Sequence, residues 1–100
     1  MSRRVRLGAS AERDVAAARD WYSAQQPDFD LDLAFQSELE SVFLRMESFP
    51  QAFPVVYKYV RRANLNKFPY AVFYQLRGDD LLVIAVVHHA RHPRVWKRRR

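Results

Sequence analysis

The clearest helical pattern in the chain lies between residues 30 and 48, where apolar side chains recur every three or four positions. The recurring positions are Leu31, Phe35, Leu39, Val42, Met46 and Phe49. This spacing places them along one side of a helix, so we predict an amphipathic helix from residue 30 to residue 48. Pro50 is expected to end it, because a proline disfavours helical backbone in the residue before it.

An upstream helix is predicted from residue 11 to about residue 25. Ser10 is expected to cap its first turn, and Glu12 and Asp14 lie near its positively polarised end. Its buried stripe consists of Ala11, Val15, Ala18 and Tyr22. Since only a short polar turn containing Pro27 separates the two helices, they should form an antiparallel helical hairpin.

Beyond Pro54 the period of the pattern changes to two, which is typical of strands. We predict a strand from residue 55 to about residue 65, bent at the paired Arg61 and Arg62, and further strands in "YAVFYQL" and "LLVIAVV". The "RGDD" between the last two suits a tight hairpin turn. With a short strand at residues 5 to 7, the predicted class is α+β: the helical hairpin covers a mainly antiparallel three-stranded meander, and a basic C-terminal tail follows.

The last predicted strand is apolar on both faces, so we expect it in the interior of the sheet, under the helical hairpin. Strict alternation places Leu82, Ile84 and Val86 on one face. It places Leu81, Val83, Ala85 and Val87 on the other. His88 would then emerge at the rim of the sheet, and His89 would point to the opposite side.

The charge of the chain is divided unevenly along its length. Residues 1–50 hold six Lys/Arg and nine Asp/Glu, a formal net charge of −3, whereas residues 51–100 hold eleven and two, a net charge of +9. A basic half of this kind attracts nucleic acid, an acidic protein surface or anionic lipid, and does not choose among them.

We interpret residues 1–100 as a single domain, because 100 residues supply one core and the sequence contains no repeat or flexible linker. The absence of cysteine excludes disulfides and zinc–thiolate sites and fits a reducing cytoplasm. The N-terminal residues lack the apolar segment of a signal peptide, and the longest apolar run, seven residues, is too short to span a bilayer. A cytoplasmic protein without membrane contact is therefore expected.

Asp28, Asp30 and Asp32 are spaced like the first ligands of a calcium-binding loop. That interpretation fails, because Leu33 and Leu39 occupy positions where the loop needs glycine and glutamate. We expect the aspartates to stabilise the start of the second helix instead. The sequence also lacks a Gly-rich phosphate loop and a serine nucleophile motif, so no metal and no cofactor is predicted.

Three segments of the chain resemble the RelE/ParE superfamily of type II toxin–antitoxin toxins, and its ParE-like branch in particular. They are "AERDVAAARDWY", "FPQAFPVVYKYVRRANLNKFPYAVFYQL" and "VIAVVHHARHPRVWKRR", and together they cover most of the chain. The resemblance implies a RelE/ParE-like fold and a toxin that inhibits growth, with DNA gyrase as its target. It also implies a cognate antitoxin whose C-terminal segment wraps the toxin. Because the second half is basic, that segment is expected to be acidic with apolar anchors.

Other members of the superfamily are ribosome-dependent RNases, so a RelE-like mRNA interferase is the first alternative function. Its partners would be the ribosome and mRNA, and its candidate catalytic residues are His88, His89 and Arg91, which can move protons or bind phosphate. The sequence departs from those RNases at two positions, where Ala71 replaces an arginine and Trp96 replaces a tyrosine. These departures favour a toxin that is not an enzyme.

The predicted surface for the target or the antitoxin combines cationic and aromatic side chains of the basic half. Its members are Arg61, Arg62, Lys67, His89, Arg91 and Trp96. Each has a structural alternative: one of the paired arginines could be a solvated edge charge, one of His88 and His89 could only hydrogen-bond a backbone carbonyl, and the tail could be disordered. His92 is interpreted as a loop residue. The remaining functional alternative is a non-toxic basic module that binds nucleic acid or a partner.

Overall fold

A computed structural model describes residues 4–25 and 30–99, which form two long helices packed against a five-stranded sheet. The elements in chain order are β1 Arg4–Leu7, α1 Ala9–Ser23, α2 Leu31–Ser48, β2 Val55–Tyr57, β3 Val60–Asn64, β4 Tyr70–Arg77, β5 Asp80–His88 and α3 Arg94–Lys97. The α+β class, the N-terminal strand and the two consecutive helices are therefore confirmed. No helix in these described ranges is long and apolar enough to cross a membrane.

The strands lie side by side in the order β1-β5-β4-β3-β2. β1 runs parallel to β5, and every other neighbouring pair is antiparallel. β5 therefore lies inside the sheet, as its apolar faces predict, and it ends by delivering His88 to the rim. The hairpin between β4 and β5 turns at Gly78, whose φ of 59° is in the left-handed region that glycine tolerates.

The antiparallel meander has four strands, because the single strand predicted from residue 55 to residue 65 is a hairpin of β2 and β3. The chain reverses at Lys58 and Tyr59, before the bend predicted at Arg61 and Arg62. Lys58 adopts a φ of 51°, which is uncommon for a residue with a side chain. The alternating pattern hid this reversal, because the turn contains none of the glycine, proline or asparagine residues that normally mark one.

The prediction that Ser10 caps the first helix was wrong. α1 begins at Ala9, directly after Gly8, whose amide donates a hydrogen bond to the Val83 carbonyl at 2.9 Å. The chain thus passes from β1 into the helix without a capping side chain. Ser10 lies inside the first turn, where its hydroxyl oxygen accepts a hydrogen bond from Arg13 at 3.2 Å.

The aspartates before the second long helix stabilise its start, as predicted. The Asp30 carboxylate caps α2 by accepting a hydrogen bond from the Leu33 amide at 2.8 Å. Asp32 pairs with Arg19 of α1 at 2.9 Å, and this hydrogen-bonded guanidinium holds the pKa of Asp32 below its usual range. Asp28 lies outside the described residues.

The core under the helices is centred on aromatic rings. Phe35 of α2 is fully buried, and its ring centroid lies 5.3 to 5.5 Å from those of Tyr22, Phe68 and Tyr70. Burial of one such side chain stabilises the fold by about 1.5 to 3 kcal/mol. Phe49, which was predicted to continue the buried stripe, is 67% exposed, because the helix ends one residue before it.

A bulge in β5 changes the predicted distribution of side chains between the two faces of the sheet. The register of β4 against β5 slips by one residue, so that Ile84 is the extra residue in the pairing. Ile84 and Ala85 therefore both face away from the helices, and Val86 returns to the helical side with Leu81 and Val83. The predicted faces of Ala85, Val86 and Val87 were wrong, because strict alternation does not survive an inserted residue.

We call the side of the sheet under α1 and α2 the covered face, and the other side the open face. The open face holds a second group of buried apolar residues: Val60, Ala71, Phe73, Ile84, Ala85, Val87 and Trp96. Trp96 belongs to α3, so the C-terminal segment packs on the open face as a short helix instead of extending into solvent.

Candidate functional site

A cavity of about 260 Å³ opens on the open face, where β3, β4 and β5 meet the turn before α3. We call it the rim cavity. It is lined by Arg62, Asn64, Ala71, Phe73, Val87, His88, His89, Arg91, Pro93 and Trp96. Most of the predicted cationic and titratable site residues therefore converge at one place.

Strand alternation brings the walls of the rim cavity together. Arg62 and Asn64 are two residues apart in β3, and Ala71 and Phe73 are two residues apart in β4, so each pair points to the same side of the sheet. Arg62 is exposed, whereas Phe73 is buried beneath α3. The cavity thus combines cationic walls with an apolar floor.

His88, at the end of β5, is half-buried, and its Nδ1 accepts a hydrogen bond from the Ala90 amide at 3.0 Å. Its ring also meets the Tyr70 ring edge-on, with 5.4 Å between centroids. Since Nδ1 is engaged as an acceptor, Nε2 carries the hydrogen of the neutral ring and is available as a donor. The alternative in which the His88 ring bonds a backbone carbonyl differs from this arrangement, because the partner of Nδ1 is an amide. The chain turns sharply here, and the His88 carbonyl accepts a hydrogen bond from the Arg91 amide at 2.9 Å.

His88 lies at the end of β5, where the two faces of the sheet meet. His88 and Arg91 line the rim cavity on the open face and also a second concavity of about 230 Å³ beside α1. The second concavity includes Asp14, Trp21 and Tyr70. Burial raises the pKa of Tyr70, while the nearby positive charge of Arg91 acts in the opposite direction. A ligand on either side of the rim therefore meets His88 and Arg91.

His89 and His92 occupy different positions from His88. His89 is exposed and lines the rim cavity, and its amide donates a hydrogen bond to the Pro69 carbonyl at 2.8 Å. His92 lies in the turn before α3, where its Nδ1 accepts a hydrogen bond from the Arg94 amide at 3.1 Å. The interpretation of His92 as a loop residue is confirmed.

Trp96 forms the floor of the rim cavity. Its ring stacks on that of Phe73 with 4.3 Å between centroids and an interplanar angle of 15°, and only 7% of the residue is exposed. The Lys97 ammonium lies 4.8 Å from the centroid of the Tyr57 ring, which adds a cation–π contact beside the stack. Trp96 thus fixes α3 on the open face, as the aromatic among cations suggested, and is not a free contact residue.

Two residues of the predicted binding surface do not reach the rim cavity. Arg61 points to the opposite side of β3 from Arg62 and donates hydrogen bonds to the backbone carbonyls of Gln51 at 3.1 Å and Phe53 at 2.6 Å. Lys67 lies in the loop after β3, where its amide donates to the Glu38 carboxylate at 2.8 Å. Arg61 therefore ties a loop to the sheet, and the predicted cluster of these cations with Arg91 was wrong.

A partly buried carboxylate joins α1, β5 and the C-terminal segment. The Asp14 carboxylate accepts a hydrogen bond from the Val86 amide at 3.0 Å and also pairs with the Arg99 guanidinium. Arg99 approaches the Ile84 carbonyl at 3.4 Å. The contacts lie at the bulge, on the edge of β5 beyond its pairing with β1, which ends at Val83. We call this group the Asp14–Arg99 clamp.

Sequence reasoning missed Asn64, Phe73 and the Asp14–Arg99 clamp. Asn64 could have been found, because it follows Arg62 at the two-residue spacing of one strand face. The clamp had no local signal, since 85 positions separate its members in the chain. Within residues 4–25 and 30–99, no three His, Asp or Glu side chains are grouped as ligands for a metal ion.

Comparisons with known proteins identify the family to which the chain is similar. The family model described as ParE toxin of type II toxin–antitoxin system, parDE, matches residues 5–93. Toxin ParE2 of Mycobacterium tuberculosis, in strains CDC 1551 / Oshkosh and H37Rv, is 29% identical over 93 residues, which cover 93% of this chain and 88% of that protein.

Two solved structures share the fold. The chromosomal ParDE system of P. aeruginosa superposes with a TM-score of 0.62 at 14% identity, over 86% of this chain and 95% of that one. The RelBE2 toxin–antitoxin complex of Mycobacterium tuberculosis gives a TM-score of 0.59 at 17% identity, over 88% and 99%. The predicted RelE/ParE-like fold is thereby confirmed, and since the family model spans most of the sequence, the chain belongs to the ParE toxin family of type II toxin–antitoxin systems.

Proposed function

We propose that this toxin acts in the cytoplasm and arrests growth by poisoning DNA gyrase through protein contacts. The observation that carries the proposal is the chemistry of the rim cavity at the two positions where related RNases hold reactive side chains. Ala71 offers only a methyl group, and the Trp96 indole is stacked into the floor. Neither can move a proton or clamp a phosphate, so this surface is better suited to binding than to cleavage.

A supercoiling assay with purified gyrase and the purified chain tests this proposal. We expect supercoiling to be inhibited, with a trapped enzyme–DNA complex that yields cleaved DNA once the protein is denatured. Arg62→Glu with Arg91→Glu should weaken inhibition, because it reverses the charge of the rim cavity. Arg13→Glu with Arg45→Glu, on exposed helical positions, is the control. Gyrase that is unaffected by excess toxin contradicts the proposal.

We further propose that a cognate antitoxin neutralises the chain through an acidic segment with apolar anchors. Exposed Arg62, His89 and Arg91 lie side by side at the rim cavity and suit carboxylates. A peptide from the acidic C-terminal end of the antitoxin encoded beside the toxin should bind in isothermal titration calorimetry. Binding should weaken with salt and with Arg62→Glu. Equal affinity for Arg62→Glu and the unchanged chain would place the antitoxin elsewhere.

A second candidate function is a ribosome-dependent mRNA interferase. It is favoured by one observation, the convergence of His88, His89 and Arg91 on the same cavity. In that mechanism one of the His88 and His89 rings would take the proton of the attacking 2′-hydroxyl, and the other, in its protonated form, would give a proton to the leaving oxygen. Arg91 would stabilise the negative charge that develops on the phosphate.

Primer extension on cellular mRNA after induction separates the two candidates. New cleavage ends that disappear with His88→Ala or His89→Ala support the interferase, and His92→Ala is the control because its ring accepts a hydrogen bond from the Arg94 amide outside the cavity. Growth arrest without new ends supports a protein target. The non-toxic basic module requires that expression causes no growth arrest at all.

A further inference from the structure

The uneven charge of the sequence becomes a separation between the two sides of the folded sheet. Apart from Asp79 and Asp80, every Asp and Glu of the chain lies between residues 12 and 47, the segment that contains α1 and α2. The segments 48–78 and 81–100 contain no acidic residue. The acidic residues therefore belong to the helical layer, and α3 and most of the sheet contribute cations alone.

Cations line the open face from one end to the other. Arg62 and Arg91 line the rim cavity, whereas Lys58, Arg77 and Arg98 line a second cavity of about 440 Å³ at the opposite end of β4. Arg77 in the second cavity lies six positions along β4 from Ala71 in the first, a span of about 20 Å at the usual rise of a strand. This length corresponds to about six base pairs of duplex.

Within residues 4–25 and 30–99, no acidic side chain forms an ion pair with the open-face cations of the two cavities. The ion pairs of the described residues are Arg6–Asp80, Arg19–Asp32 and Arg99–Asp14, and none of them uses the cations of the two cavities. Arg94 and Arg98, four positions apart, line one concavity beside α3, although like charges at this spacing repel each other. Unrelieved repulsion on a folded surface favours an anionic partner.

The distribution of exposed apolar side chains indicates what kind of polyanion fits. Trp21, Leu33, Leu44 and Phe49 are all more than half exposed and belong to α1, α2 or the end of α2, whereas Val55, which is 51% exposed, begins β2. An extensive protein interface needs apolar anchors, and the helical layer carries most of those that are exposed. The open face instead offers arginines around α3 and a Tyr59 that is 85% exposed beside the second cavity. Arginine forks and an exposed ring are typical contacts for phosphates and bases.

We propose that the open face binds the sugar–phosphate backbone of a nucleic acid, across α3 from the rim cavity to the second cavity. The same chemistry is offered by DNA and RNA. This function is separate from inhibition of gyrase, and binding can be measured on the toxin alone. Such binding would let the toxin contact directly the nucleic acid that its target holds.

Fluorescence anisotropy with the full chain tests the proposal, using a labelled 20-base-pair DNA duplex and single-stranded DNA and RNA of the same sequence, at about 50 to about 300 mM salt. We expect binding to at least one of the three probes, with affinity that falls steeply with salt. Arg94→Gln with Arg98→Gln should weaken binding by about tenfold or more and lower the salt slope by about 2. Arg77→Gln, at the far end, is the second variant and should lower the slope by about 1.

The matched control is Arg13→Gln with Arg45→Gln, which removes the same charge from exposed positions of the helical layer. We expect this control to change affinity less than twofold, a shift of about 0.4 kcal/mol or less. The proposal is overturned if the control weakens binding as much as the α3 variant, because the attraction is then only net charge. It is also overturned if no probe binds, or if poly-glutamate displaces DNA at a lower concentration than unlabelled DNA does.

Discussion

The two faces of the sheet are built from alternate residues of the same strands and have different roles. On the covered face, Tyr74 is fully buried and its hydroxyl donates a hydrogen bond to the Pro50 carbonyl at 2.8 Å, while burial raises its pKa to about 12. On the open face, neighbouring Phe73 is covered by Trp96 of a four-residue helix. The covered face therefore stabilises the fold, and the open face positions α3 and the rim cavity.

The largest expected loss of stability comes from a substitution on the covered face. Phe35→Ala should lower the free energy of unfolding by about 3 to 5 kcal/mol, because it removes the central ring of the aromatic cluster and leaves a closed cavity. Urea denaturation followed by circular dichroism measures it. Phe73→Ala is the matched change on the open face and should lower this free energy by less, since water can enter from the rim cavity. Equal losses would remove the distinction between the faces.

A smaller effect is expected where α3 meets the open face. Trp96→Ala should lower the free energy of unfolding by about 2 kcal/mol, because the stack on Phe73 is lost at a site that solvent can reach. Tryptophan emission provides a second measurement: the variant should keep only the spectrum of Trp21, which is 60% exposed. Trp21→Phe should change stability by less than about 0.5 kcal/mol. A variant emission that is still characteristic of a buried indole would contradict the assignment.

The Asp14–Arg99 clamp connects the two faces, and a double-mutant cycle measures that connection. Asp14→Ala and Arg99→Ala should show a coupling energy of about 1 to 2 kcal/mol in urea denaturation, because each removes the partner of a partly buried charge. Asp14→Ala should be the more damaging single change, since it also leaves the Val86 amide without its acceptor. Additive effects would show that Arg99 does not hold the C-terminal segment to α1.

The smallest expected effect lies within the helical layer. Asp30→Ala should lower the free energy of unfolding by about 1 kcal/mol, because it removes the carboxylate that caps α2. Ser10→Ala should change this free energy by less than about 0.5 kcal/mol, because Ser10 lies inside the first turn. Thermal denaturation of the two variants under one condition is sufficient. A larger loss for Ser10→Ala would restore the capping role that the sequence predicted.

Periodicity alone predicted those parts of the fold in which a local sequence pattern is compatible with only one secondary structure. The three-and-four spacing of Phe35, Leu39 and Val42 placed the buried side of α2, and Gly78 marked the hairpin before β5. The β2–β3 hairpin was missed, because Lys58 adopts a left-handed conformation that side chains make uncommon. A turn that contains neither glycine nor proline cannot be recognised within an alternating pattern of apolar and polar residues.

The candidate site shows the same division. Arg62, His88, His89 and Arg91 were predicted and converge, because two-residue alternation and the end of a strand can be identified from the sequence. Separating them from Arg61 required the fold, since the Gln51 and Phe53 carbonyls that bind Arg61 reach it only when the loop after α2 folds back. Local pattern therefore identified the candidates, and long-range contacts selected among them.

The sequence by itself determined the α+β class, the two long helices, the interior apolar strand and the accumulation of positive charge in the second half. These features depend on neighbours a few positions apart. Tertiary structure alone decided the bulge at Ile84, the clamp between Asp14 and Arg99 and the docking of Trp96 on Phe73. Their partners are distant in the chain, and such contacts form only when packing brings the segments within hydrogen-bond or van der Waals distance.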